Sequence, residues 1–247
     1  MHALEARHLS DLRFPEVSRA LRALSSAYVE RRTRLSEGAA LSGAGKRAAF
    51  ALFYGPLHYL LVREIVNRLP GATAPAVTLV DLGCGTGVSG AAWAGVWAAS
   101  PASAVRPRII GIDRHPWALG EAAWTYRAFG LDARTRQADA ATAPLPRSPA
   151  LILAAFAMNE VLDAPRHALL NRLLVRAADG DRVLIVEPLA GFVTPWWGHW
   201  RDVFVAAGGR ADEWRVRVEL PSIVAKLDRA AGLNHRELTG RSLWLGG

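Results

Sequence analysis

One stretch limits the fold more than any other. Residues 77–90 read VTLVDLGCGTGVSG. A run of apolar and β-branched residues ends at Asp81, and Gly83, Gly85 and Gly87 follow within five positions. The run predicts a short buried strand, and the glycines predict a sharp turn into the helix TGVSGAAWAGVWAA. The same alternation continues along the chain. Strands are expected at PRIIGID, ARTRQAD, ALILAAF, DRVLIVEP, WRVRVEL and RSLWLG. Helices are expected at PWALGEAAWTYRAFG, PRHALLNRLLVRAADG, TPWWGHWRDVFVAAGG and PSIVAKLDRAAG, several closed by glycine. Apolar strands alternating with helices predict a parallel sheet covered on both faces and doubly wound by right-handed crossovers.

The first seventy residues differ. Val17, Leu21, Leu24, Tyr28 and Leu35 recur near one helical face, a break is expected at SEGAALSGAG, and helical character resumes at KRAAFALFYGPLHYLLVREIVNRLPG with an interruption at Gly55-Pro56. The expected organisation is an N-terminal helical lid or recognition region over 1–72, followed by the α/β domain over 73–247.

Composition narrows the function. A single cysteine excludes an internal disulfide and a cysteine-rich metal site, and the seven histidines form no HxxxH pair. No metal is expected. The N-terminus lacks the apolar core of a signal peptide, and the apolar stretches are too short or too interrupted to span a bilayer. A soluble, cytoplasmic protein with no membrane partner is expected. The net charge is +8, of which +5 falls in the first seventy residues. That excess suits an arm that meets nucleic-acid phosphates, or the solvated helix faces of an arginine-rich chain.

The glycine loop admits two registers. Gly85-x-Gly87-x-x-Gly90 spells GxGxxG, yet a dinucleotide loop starts directly after the strand, and from Gly83 the final glycine would fall on Val88. Gly83-x-Gly85-x-Gly87 places Asp81 at the strand tip. A carboxylate there suits a cationic amino group and sulfonium better than a pyrophosphate. DLGCGTG resembles the first motif of the class I S-adenosylmethionine-dependent methyltransferases. The resemblance implies a Rossmann-like, doubly wound methyltransferase sheet with an N-terminal helical extension, and S-adenosyl-L-methionine as cofactor.

On that reading Asp113, 26 residues after Gly87, ends the second strand and accepts the ribose hydroxyls. The long ASPASAVRP loop absorbs the extra spacing. Asp139 ends the third strand and reaches the adenine amine. Cys84, Arg114, Ala140 and Phe156 complete the expected cofactor contacts. Cys84 is read as a small residue whose backbone lies against the cofactor; no second cysteine offers the thiolate that pyrimidine carbon-5 methylation uses.

After the fourth strand, AAFAMNEVLDAP offers Asn159 and Glu160 as candidate catalytic groups, or as caps of the next helix. Methyl transfer from a sulfonium rests mostly on alignment, so a strong base is not required. Trp196, Trp197 and Trp200 cluster after the fifth strand. Trp196, Trp200 and Val203 share a helical face that suits core packing, which makes Trp197 the one expected to be exposed and able to stack a base. Tyr54, His58 and Tyr59 join it as substrate-binding candidates.

Phe50, Phe53, Pro56 and Tyr59 in AFALFYGPLHYLLV, then LVDLGCGTG, LILAAFAMNEVL and LIVEP, resemble the family of mitochondrial small-ribosomal-subunit methyltransferase-like assembly factors and their bacterial relatives. The resemblance runs from about residue 20 to 190 and implies association with small-subunit ribosomal RNA. Two features depart from it. Many members carry four cysteines for an iron–sulfur cluster, which this chain lacks, and the usual VEPGTPxGF reads VEPLAGFVTPWW here. A small-molecule acceptor beneath an aromatic lid, and a non-catalytic RNA-binding assembly factor on the same scaffold, are the other two readings.

Overall fold

The structure, a computed structural model, describes residues 1–30, 41–74, 76–99, 107–147, 149–189 and 194–246. Leu35, the side chain of Tyr28, the first half of the expected break and most of the ASPASAVRP loop lie outside them. The chain divides into two compact units. One comprises Met1–His58 with Arg217–Leu238, and the other Tyr59–Val216 with Thr239–Gly247. The division falls before residue 72, and a later segment joins the N-terminal unit.

The first unit is helical. It contains α1 (His2–His8), α2 (Phe14–Glu30), α3 (Ala44–Ala49), a π-helical turn (Phe50–Tyr54), the start of α4 (Gly55–Arg68), and α9 (Ser222–Ala230). Val17, Leu21 and Leu24 are fully buried, as their spacing predicts. Arg22 Nη1 donates to the Ala230 carbonyl at 2.8 Å, tying α2 to the last turn of α9. Gly55-Pro56 does not interrupt the helix. Pro56 has no N–H for the carbonyl one turn back, and the wider π turn just upstream absorbs the mismatch, so the chain stays helical into α4.

The second unit is built on a sheet. Its strands are β1 (Thr78–Leu82), β2 (Arg108–Asp113), β3 (Ala133–Gln137), β4 (Leu151–Ala155), β5 (Arg182–Glu187), β6 (Arg210–Val216) and β7 (Leu238–Leu245), in the order β3-β2-β1-β4-β5-β7-β6. The first five run parallel, but β7 pairs antiparallel with β5, so the sheet is mixed where alternation alone predicts parallel. The sixth strand begins four residues earlier than WRVRVEL implies and ends at Val216.

Helices α5 (Val88–Ala98), α6 (Pro116–Ala128), α7 (Asp163–Ala178) and α8 (Trp197–Ala206) flank the sheet. β4 is buried throughout, and β1 and β5 are buried beyond their first residues. Val80, Leu82, Ile152, Ala154, Val183 and Ile185 alternate onto one face, where they pack with Leu169, Leu173, Trp200 and Phe204. The small residues of α5 let that helix press close to β1. Crossovers leave in opposite directions from β1 and β4. Their carboxyl ends therefore flank a switch point, where open α/β sheets bind ligands.

Candidate functional site

The site is built from the loop after β1 and the turn after β4. Gly83, Gly85 and Gly87 all have positive φ, +68°, +52° and +77°, which explains their spacing. A Cβ on Gly83 would lie 2.4 Å from the Ala157 side chain, so loop and turn touch at the switch point. A Cβ on Gly87 would strike Ala122 and Tyr126 at 2.9 Å. Gly90, the glycine that completes the literal GxGxxG, has a different function. Its N–H donates to Asp81 Oδ2 at 3.0 Å, and a Cβ there would sit 2.7 Å from that oxygen.

Asp81 is thus nearly closed to solvent and supplies an acceptor to the otherwise unpaired first turn of α5. Tyr126 of α6 reaches the same oxygen at 3.4 Å. Burial pushes the Asp81 carboxyl up to about 7, against the two hydrogen bonds that favour its ionised form. Tyr126 escapes sequence reasoning. It stands 45 residues from its partner, and the only local hint is Gly111, whose Cβ would meet its hydroxyl at 2.9 Å.

Cys84 is buried, and burial together with Asp81 and Asp113 raises its thiol. It is therefore a packed thiol, with no thiolate character at neutral pH.

Asp113 latches the loop. Its Oδ2 accepts the Gly85 N–H at 2.9 Å and its Oδ1 accepts the His115 N–H at 2.8 Å. Each oxygen keeps a second lone pair. Asp139 Oδ1 accepts the Ala141 N–H at 2.8 Å, and its Oδ2 lies 3.9 Å from Arg114 Nη1. Ala140 follows at the start of a segment clamped by Arg172 of α7, which donates to the carbonyls of Ala141 and, at 2.7 Å, Ala143. Thr86 Oγ1 and His115 Nδ1 are buried at this edge with no hydrogen-bond partner among the described residues. A polar ligand here would satisfy them, so the residues present fit a cofactor rich in donors and acceptors.

The turn after β4 is held at both ends. Phe156 has φ of +58°, a strained value for a large side chain, and such strain persists where surrounding structure imposes it. Glu187, fully buried at the end of β5, accepts the Met158 N–H at 2.9 Å and Asn159 Nδ2 at 2.7 Å. Asn159 Oδ1 in turn accepts Trp196 Nε1 at 3.1 Å. Asn159 is therefore a strut, and α7 has no side-chain cap from it. Arg166 closes the other end through the Val161 carbonyl at 2.6 Å and lies over the Trp196 ring. Glu187 was marked in the sequence only by VEP. Glu160 is partly buried, and burial plus the nearby Asp113 carboxylate pushes its acid up to about 7, with Arg114 opposing.

The remaining expected contacts divide. Trp197 is buried, not exposed, because Arg241 lies over its ring, 4.3 Å from the centroid. Trp196, Trp200 and Val203 pack into the core as their spacing predicts. Tyr59 does not reach this edge. It stacks on Phe129 at 5.4 Å, at the end of α6 away from Asp113. In the helical unit, Tyr54 and His58 form one aromatic group with Phe50, at ring distances of 6.0–6.4 Å. Burial lowers the His58 imidazole to about 3, so it is neutral at pH 7.

Among the described residues, no cluster of acidic, histidine or cysteine side chains could hold a metal, and no helix is long and apolar enough to cross a membrane. No family profile matches the chain, and no curated protein matches it. Solved structures do. Precorrin 8w decarboxylase of Methanobacterium thermoautotrophicum is similar at 17% identity and a TM-score of 0.49, over 76% of this chain and 90% of that one. Magnesium protoporphyrin IX methyltransferase of Synechocystis PCC 6803, with bound S-adenosylmethionine, is similar at 13% and 0.45, over 76% and 79%. The 23S rRNA methyltransferase ErmE is similar at 14% and 0.45, over 74% and 66%. Likeness of this degree carries no argument about chemistry. Strand order and the glycine loop themselves define a Rossmann-like fold of the class I methyltransferase type.

Proposed function

We propose that the chain is an S-adenosylmethionine-dependent methyltransferase whose acceptor is RNA of the small ribosomal subunit. The observation that carries the cofactor reading is the latch of Asp113 on Gly85, which docks DLGCGTG against the ribose-binding strand tip. The cofactor supplies an electrophilic methyl group on a sulfonium. The residues assigned to it are the loop of Gly83, Cys84, Gly85 and Gly87, Asp113 for the ribose, and Asp139 with Ala140 for the adenine. Phe156 and Arg114, the latter beside Asp139, would complete the set. Asp81, whose Oδ2 holds the Gly90 N–H and the Tyr126 hydroxyl, would act on the cationic end of the cofactor from beneath the loop.

Glu160 is the proton acceptor. Its acid titrates near pH 7, and Asn159 positions it through Glu187. The ribosomal assignment rests on the family resemblance and on the basic helical unit. There an open groove formed by Phe14, Ile223 and Ala230 is lined by Lys226 and Arg229. A small-molecule acceptor is the second reading, favoured by the aromatic group of Phe50, Tyr54 and His58.

Incubation with labelled S-adenosylmethionine in a lysate, followed by fractionation, tests both. Label in small-subunit RNA is the expected result. Label confined to small molecules selects the second reading, and unlabelled fractions throughout contradict methyl transfer.

A further inference from the structure

A buried guanidinium with no carboxylate bonded to it is unusual in a folded chain. Arg241 of β7 is such a group. It is 8% exposed, and its Nε and Nη2 are buried without a hydrogen-bond partner. The guanidinium lies over Trp197, whose own Nε1 is also buried without an acceptor. Two side chains in contact thus hold three nitrogen donors without an acceptor among the described residues.

Glu187 and Glu213 are the carboxylates whose charge acts on Arg241. Glu187 faces it across the β5–β7 pairing, but its two oxygens accept from Met158 and Asn159. Burial lowers the Arg241 pKa, and the charges of Glu187 and Glu213 oppose that shift. Position matters as well. β7 runs antiparallel, so its early residues lie beside the carboxyl end of β5. Arg241 therefore stands at the ligand edge of the sheet, next to the strand whose Glu187 holds the 158–160 turn.

We propose that Arg241 and Trp197 form an anion site that receives two oxygens of a phosphate or carboxylate carried by the methyl acceptor. The Nε/Nη2 edge of a guanidinium matches such an oxygen pair, and the indole beneath it fixes the plane. An RNA acceptor supplies a phosphodiester, and a small aromatic acid supplies a carboxylate. Assigning the anion to the acceptor rests on the methyl-transfer reading; the binding of the anion does not.

Calorimetry on the full chain, at constant ionic strength, with inorganic phosphate and with benzoate tests the site. At least one anion binds the unmutated chain. Arg241→Met weakens it by about tenfold or more, and Arg241→Lys by less, because an ammonium keeps the charge but not the fork. Tighter phosphate assigns the nucleic-acid source, and tighter benzoate the small acid. S-adenosylmethionine titrated into the same variants binds as in the unmutated chain, which shows that they fold. Should Arg241→Met not fold, Arg241→Lys carries the comparison. Anion binding without cofactor binding would sink methyl transfer and leave the site standing. No binding by the unmutated chain, or equal binding by the Arg241 variants, overturns the proposal and makes Arg241 a purely structural partner of Trp197.

Discussion

Asp81 links the cofactor loop, α5 and α6 through one oxygen, and its environment gives it a pH signature. Its folded-state pKa is raised to about 7 from the model-peptide value of 3.8. The native chain therefore keeps a proton that the unfolded chain releases. That contribution is fully present below about pH 4 and is lost as pH rises through about 7. Asp81→Asn preserves both hydrogen bonds in the neutral state and removes the titration. Thermal denaturation should show the unmutated chain losing stability across this window by an amount on the order of a few kcal/mol, and the Asn variant losing less. Equal pH profiles would contradict this account of Asp81. The glycines and carboxylates here were legible because positive φ and strand-tip acidity restrict residue type. Tyr126 and the strained Phe156 were not, since a long-range contact and an imposed φ leave no local pattern.

Whole elements hold the loops that carry these residues. Arg172 of α7 donates to two carbonyls of the segment after Asp139, and Arg166 and Glu187 fix the turn after β4. Hydrogen bonds from a charged donor each contribute about 1.5–3 kcal/mol. Arg172→Ala should therefore lower the affinity for S-adenosylhomocysteine roughly tenfold while far-ultraviolet circular dichroism stays unchanged. Unaltered affinity would show that the clamp does not position the adenine side. Helix and strand identities were largely readable from period and punctuation. Trp197 departs from its expected exposure because helical spacing reports which residues share a face, and a guanidinium from a distant strand can cover what the helix itself leaves open. Asn159 shows the same limit: its short side chain beside a helix start suggests a cap, yet a buried carboxylate 28 residues away claims it.

At the scale of the molecule, alternation of strands and helices gave away the doubly wound sheet, and the antiparallel β7 stayed hidden. Its direction depends on where the segment after α9 inserts, between β5 and β6, and no residue in RSLWLG encodes that. Charge is a whole-chain property too. A net +8 with its excess toward the N-terminus predicts that binding to small-subunit RNA weakens steeply with added salt, the slope of log affinity against log salt reporting the phosphates neutralised. A flat salt response, or no binding at low salt, would remove RNA as the partner. On the proposed function, DLGCGTG holds S-adenosylmethionine through the Asp113 latch. Titration calorimetry of the full chain tests it most directly. One-to-one binding is expected, which Asp113→Ala weakens by about tenfold to a hundredfold through loss of charge-assisted hydrogen bonds. No heat from the unmutated chain, or an Asp113→Ala variant that binds equally well, would contradict it.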